Sequence, residues 1–151
     1  MSSQEAFERA LEALNRREHT SVELGAWLGE RGFEPRAVDD AVGRLIEDGA
    51  LDDERFAVAF AADKRELRGW GPERIRAALR ERGVEEALIE AALDGDGHRT
   101  QLERAVELLE RRGQPADDER SRSRALAFLA RRGYDAELAY DAVRSYEREA
   151  A

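Results

Sequence analysis

The chain has no cysteine. That removes disulfides, thiolate nucleophiles and sulfur metal ligands together. Histidine is nearly missing as well. His19 and His98 are the only two in 151 residues, both stand beside turn residues, and neither has a second nitrogen ligand at metal spacing. Neither a metal nor a cofactor is expected. Aromatics make up 7% of the chain against 39% charged residues, a balance that suits thin helices with wide solvated faces better than a thick interior. No apolar run approaches the length of about 18 residues that spans a bilayer. Met1–Glu12 carries glutamates where an export signal would carry positive charge and an apolar run. No membrane contact is expected, and the expected compartment is the cytoplasm. Proline (3) and glycine (12) are too scarce for a disordered or collagen-like chain.

Lysine is scarce too: Lys64 is the only one among 25 basic residues. Acids outnumber bases, and the formal net charge of −9 argues against a protein whose main work is gripping phosphate backbones. The excess is uneven, at −5 over residues 1–51, −3 over 52–99 and −1 over 100–151. The acidity is an N-terminal property, and the later two thirds can show local basic surface.

What is present is one phrase written three times. LGERGF (Leu28–Phe33), LRERGV (Leu79–Val84) and LARRGY (Leu129–Tyr134) place Gly32, Gly83 and Gly133 at intervals of 51 and 50 residues. Counted from each glycine, apolar residues recur at six offsets. They are Leu24, Ile75 and Ala125 at −8, Trp27, Ala78 and Phe128 at −5, and Leu28, Leu79 and Leu129 at −4. After the glycine come Val38, Ile89 and Ala139 at +6, Ala41, Ala92 and Ala142 at +9, and Val42, Leu93 and Val143 at +10. Each set is one face of a helix. The glycine then has a physical role: a helix that must reverse takes a left-handed residue at its exit, and glycine does so most cheaply. Arg31, Arg82 and Arg132, just before it, meet the negative end of the helix dipole.

Thr20 or Ser21, Pro72 and Ser121 are the expected start signals of the three glycine-ended helices. A further amphipathic stretch leads each copy, over Gln4–Arg16, Asp53–Leu67 and Thr100–Arg112. In the second, Phe56, Phe60 and Leu67 mark a stripe, with Asp52 or Asp53 as N-cap. The fold expected is all-α: nine helices in three tandem three-helix repeats over residues 1–51, 52–97 and 98–151. Units this small bury their apolar faces by stacking. Asp94–His98 reads as a joint between repeats, and Arg112–Glu119 as a turn within the third.

The middle copy carries more than periodicity. LDDERFAVAFAADKRELRGWGPERIRAALRERGV (Leu51–Val84) resembles the signature of the RecX regulatory proteins. Leu51, Asp52, Asp53, Arg55, Phe56 and Ala57 match its L-D-D-x-R-F-A helix start, and Gly71, Ile75, Leu79, Gly83 and Val84 match the motif that follows. The flanking copies are similar to the family's first and third repeats. The resemblance implies an elongated, curved array of three repeats lying in the groove of the RecA recombinase filament. It implies inhibition of RecA's ATPase and strand exchange, with no catalysis and no cofactor, in the control of recombination, DNA repair and the SOS response. Contact with single-stranded DNA, weak or indirect, stays open, and the chain is expected to be a monomer.

No catalytic constellation is present. Asp39–Asp40 and Asp117–Asp118 are adjacent pairs that diverge on a helix and read as solvated faces or caps. The RGWG glycines lack the strand and the Gly-Lys-Ser/Thr of a phosphate loop. Asp52, Asp53, Arg55 and Phe56 read first as cap and packing. Trp27 reads as packing, whereas Trp70 reads equally as a lid on the core or an anchor for a partner.

The partner-binding candidates lie in two basic segments. Lys64–Arg82 contributes Lys64, Arg65, Arg68, Trp70, Arg74 and Arg76, and Arg120–Arg132, which holds five bases and no acid, contributes Arg120, Arg122 and Arg124. Offset −9 holds Glu23, Arg74 and Arg124; a position that takes both signs is expected to face solvent or a partner. The rival to a RecA-docking protein is a helical module that binds nucleic acid directly.

Overall fold

The computed structural model describes residues 2–151, and among them there are nine helices and no strand. They are α1 (Ser3–Arg16), α2 (Ser21–Glu30), α3 (Pro35–Glu47), α4 (Asp53–Arg68), α5 (Pro72–Glu81), α6 (Glu86–Leu93), α7 (His98–Arg112), α8 (Glu119–Arg131) and α9 (Ala136–Ala150). The glycine exits fall where the register puts them. Gly32, Gly83 and Gly133 have φ of 89°, 84° and 100°, a region that side chains with a Cβ rarely enter. None of the residues at the six apolar offsets is exposed. The stripe read along α4 breaks at its end: Phe56 is buried, but Leu67 is 78% exposed in the last turn, on the wall of an open groove.

The helix starts follow cap chemistry. Thr20 caps α2 in a capping box, accepting from Glu23 N–H while the Glu23 carboxylate accepts from Thr20 N–H. Asp52 caps α4 by accepting from Arg55 N–H at 3.0 Å, and Pro72 takes the first position of α5. Ser121 is not the cap of α8. That role falls to Asp118, whose carboxylate accepts from Ser121 N–H at 2.7 Å. An aspartate three residues upstream reaches the open N–H groups first, so α8 starts a turn earlier and Ser121 is buried.

By compactness the helices sort into two units. The first runs to Ala59 and takes in Leu79–Ala92. Its core sets Ala6, Ala10 and Ala13 of α1 against Leu24 and Leu28 of α2 and Ala37, Ala41 and Leu45 of α3. The alanines let α1 and α3 approach closely. The second unit comprises Phe60–Ala78 and Leu93–Ala151. Its core joins Ala105, Val106 and Leu109 of α7, Ala125, Phe128 and Leu129 of α8, and Leu138, Ala139, Ala142 and Val143 of α9.

Candidate functional site

The signature segment is tied into the fold of the first unit. Leu51 is buried, Asp52 is the cap of α4, and Asp53 accepts from both Ser21 N–H (2.8 Å) and Ser21 Oγ (2.6 Å). Arg55 donates to Gly49 O. Phe56 lies beneath the Arg82 guanidinium, 4.6 Å from its ring centre.

The exit of α5 meets the start of α2. Thr20 Oγ1 donates to Arg82 O at 2.7 Å, and Arg82 forks onto Glu23 with two bonds of 2.9 Å. Burial alone would raise the Glu23 carboxyl; the Arg82 guanidinium and the Thr20 N–H outweigh it and hold the group below its ordinary value. This junction is neutral: one arginine, one glutamate.

The second unit has a counterpart at Gly133, where the exit of α8 meets the start of α5. Gly71 N–H donates to Arg132 O at 2.7 Å, and Glu73 N–H to Gly133 O at 2.9 Å. The orphan carbonyls of one helix end thus satisfy the orphan N–H groups of another, with the two dipoles in series. Two guanidiniums lace the contact. Arg74 donates to Arg131 O (3.2 Å), and Arg132 donates to Arg68 O (2.8 Å). Offset −9 therefore faces a helix end in both junctions, as Glu23 in one and Arg74 in the other; only Arg124 is exposed outside such a contact.

Around this second junction lies a basin of about 460 Å³ lined by Arg68, Trp70, Arg74, Arg112, Phe128, Arg131 and Arg132. Trp70 carries Lys64 and Arg74 against its ring, at 4.9 and 4.2 Å from the centre. Phe128 carries Arg112 and Arg132, at 4.2 and 5.0 Å. The basin contains no acid. Among the described residues Arg55, Arg65, Arg76, Arg80, Arg82, Arg99, Arg104, Arg111 and Arg122 all have a carboxylate within ion-pair distance. The five arginines of the basin are in none of those pairs. In a chain with nine more acids than bases, five guanidiniums outside those pairs converge on one hollow.

A buried network holds the loop that carries Trp70. Asp96, its side chain 2% exposed, takes a two-pronged bond from Arg104 at 3.0 and 2.9 Å and lies 3.5 Å from Arg65 Nε. Arg104 Nε donates to the Tyr134 hydroxyl (2.7 Å), which donates to Gly69 O (2.9 Å). Burial pushes the Tyr134 phenol up, against the pull of Arg104, so it stays a donor. Beside it runs a larger groove of about 840 Å³, which shares Arg68 and Arg132 with the basin but adds Glu66, Asp94, Glu103 and Glu107.

The candidates from sequence divide accordingly. Lys64, Arg68, Trp70 and Arg74 are brought together at the basin. Arg65 is drawn to Asp96, Arg76 pairs with Glu73, and Arg122 forks onto Glu147. Arg120 and Arg124 are exposed on α8, away from the basin lining. Sequence reasoning misses Arg112, reads Arg132 as a helix-end cation and counts Arg131 only among the bases of its segment. The clue available was position, since Arg112 and Arg132 each precede a glycine with left-handed φ. Trp27 packs half-buried against the first core, with the Arg31 guanidinium 3.7 Å above it. The Asp96–Arg104–Tyr134 network had no signal beyond a turn-rich DGDGH.

Residues 6–45 match the RecX first three-helix domain, and residues 52–93 the RecX second three-helix domain. "Regulatory protein RecX" of Halorhodospira halophila is 41% identical over 139 residues, covering 90% of this chain and 84% of that protein. The protein of that name from Pseudomonas savastanoi is 40% identical over 131 residues, covering 85% and 83%. Among solved structures, RecX from Lactobacillus salivarius shares the fold with a TM-score of 0.88 at 18% identity, covering 97% of each chain. A second structure of regulatory protein RecX gives a TM-score of 0.79 at 23% identity, covering 95% of this chain and 71% of that one.

Proposed function

The chain belongs to the RecX family of regulatory proteins, and on that footing we propose that it docks on the RecA recombinase filament and restrains ATP hydrolysis and strand exchange. In this reading it is a cytoplasmic, monomeric regulator of recombination and repair that acts by binding rather than by catalysis, without a cofactor. Its three repeats are residues 1–51, 52–97 and 98–151. The observation that carries the reading is likeness to regulatory proteins over nine tenths of the chain.

The docking residues proposed are Lys64, Arg68, Trp70 and Arg74, joined by Arg112, Arg131 and Arg132 at the basin. Arg120, Arg122 and Arg124 form a flank. Arg65 and Arg76 are engaged with Asp96 and Glu73, and their part is to hold that surface in place.

The test is RecA ATPase on single-stranded DNA, titrated with the protein. A saturable fall in rate is expected; a rate unchanged at stoichiometric excess overturns the reading. The uncompensated arginines also favour a second reading, direct binding of nucleic acid. Salt separates the two. A protein that grips phosphates loses DNA affinity steeply with added salt when RecA is absent, whereas a RecA-docking protein shows little DNA binding to lose.

A further inference from the structure

We propose that the arginine basin is a carboxylate-binding site that receives a short acidic segment of a protein partner, rather than a strand of nucleic acid. The proposal deepens the docking reading by naming the chemistry the partner presents, and its binding test is run without RecA.

The donors are available. A guanidinium has five N–H groups in a planar fork that matches a carboxylate edge. Arg74 and Arg132 each donate one bond to a carbonyl, which leaves their positive charge uncancelled. The side chains of Arg68, Arg112 and Arg131 are exposed and make no hydrogen bond or ion pair among the described residues. Forked arginine–carboxylate bonds are the strong, directional kind. Converging guanidiniums with no acid of their own leave that bond to be completed by another molecule.

Two observations favour carboxylates over a phosphodiester strand. Proteins that hold single strands stack bases on open aromatic faces along a continuous positive track. Here each ring of the basin already carries two cations, Lys64 and Arg74 on Trp70 and Arg112 and Arg132 on Phe128. The uniformly positive lining also ends within the unit, because the groove that shares Arg68 and Arg132 mixes Glu66, Glu103 and Glu107 with Arg65, Arg104 and Arg111. A uniformly charged strand leaving the basin on that side meets carboxylates. A polypeptide can vary its charge along its length: a few acidic residues followed by residues of mixed charge match the basin and then the groove.

The experiment is calorimetric titration of the full chain with a hexaglutamate peptide and, separately, with an oligothymidylate. The peptide is expected to bind saturably and to weaken with salt. The triple variant Arg68→Ser, Arg112→Ser, Arg131→Ser should lose about tenfold or more in affinity. The control Arg148→Ser, exposed on α9 and outside both the basin lining and its flank, should bind like the parent. If the triple variant melts early, the single change Arg131→Glu carries the test, since that side chain makes no hydrogen bond or ion pair among the described residues.

Absent peptide binding overturns the proposal, as does peptide affinity indifferent to these variants. So does an oligothymidylate that binds more tightly than the peptide and loses that affinity in the triple variant. RecA ATPase is then measured with the same variants. Peptide binding lost while RecA inhibition persists removes the basin from the RecA-docking surface and leaves the carboxylate site standing. Inhibition lost where the peptide never bound does the reverse.

Discussion

The junction at Gly83 and the junction at Gly133 solve one problem with different chemistry. In each, a glycine with left-handed φ ends a helix, the arginine before it sits at the negative end of the dipole, and another helix starts against the exposed carbonyls. At Gly83 the incoming helix brings a capping box and, at offset −9, Glu23, which cancels Arg82. At Gly133 it brings Gly71, Pro72 and, at the same offset, Arg74, which adds to Arg132. One register position decides the outcome. A glutamate there makes a neutral contact that serves the fold alone, while an arginine makes a contact that still holds and is left positively charged. A surface for a partner can thus arise inside a structural repeat without altering its geometry.

The steric side of the comparison gives the largest expected effect. A Cβ at Gly133 would stand 2.6 Å from Arg74 N, a backbone atom that cannot step aside, in a conformation already unfavourable for side chains. Gly133→Ala should cost about 3 kcal/mol or more in denaturant melts. At Gly83 the obstacle is the Val22 side chain, 2.7 Å away and itself 59% exposed, so Gly83→Ala should cost about 2 kcal/mol. Adding Val22→Ala removes the γ-methyls at 2.8 and 3.2 Å but keeps the Cβ at 2.7 Å, so it should recover only part of the clash. Equal costs at the two glycines, or no recovery, would remove the distinction between a backbone obstacle and a side-chain one.

The electrostatic side comes next. Glu23→Gln should destabilise by about 1 kcal/mol at neutral pH, since the pair is only partly exposed. The folded carboxyl lies below its ordinary value of 4.5. Its contribution is therefore present above pH 4.5 and is lost as the pH falls through the lowered value. The gap between parent and variant, followed by urea melts from neutral to acid, should narrow below pH 4.5. A gap that stays constant would show that the ion pair is not its source.

The smallest change in stability should come from exchanging the chemistry. Arg74→Glu sets a carboxylate beside Arg132, as Glu23 stands beside Arg82, and the melting free energy should move by less than about 1 kcal/mol. RecA inhibition should nonetheless fall sharply, because the basin loses one cation and gains an anion. Arg124→Glu, at the same offset but exposed on the α8 flank, should leave stability unchanged and weaken inhibition less than Arg74→Glu does. If the two variants inhibit RecA alike, the junction is not what distinguishes these arginines.

The fold was legible where its causes are local. Apolar offsets around each glycine, the left-handed exits and the caps at Thr20, Asp52 and Pro72 depend on residues within a turn or two of each other. Legibility failed where two local options competed, as with Asp118 and Ser121, and where the partner is remote in sequence. Glu23 meets Arg82 across 59 residues, and Arg132 meets Arg68 O across 64. A list of charges holds no information on such pairings, so Arg65 and Arg68, three residues apart, read alike. One is drawn into a network with Asp96, the other opens onto the basin. Trp70 is a half-buried ring with Lys64 and Arg74, six and four residues away, against it.

The early start of α8 has a consequence for assembly. The residues preceding α2 and α5, Thr20 and Gly71, stand 12 positions before Gly32 and Gly83, whereas Asp118 stands 15 before Gly133. The added turn fills the place where α2 and α5 each receive a helix exit. Asp118 has taken the Ser121 N–H, and Ser121, buried, has its carbonyl held by Gln114 Nε2 at 3.1 Å. Head-to-tail contacts that do not close a ring propagate into fibres whenever a free donor end meets a free acceptor end. At α8 the series of exits and starts therefore stops within the chain: its first turn is met by Asp118 and Gln114 of its own loop and not by another helix exit.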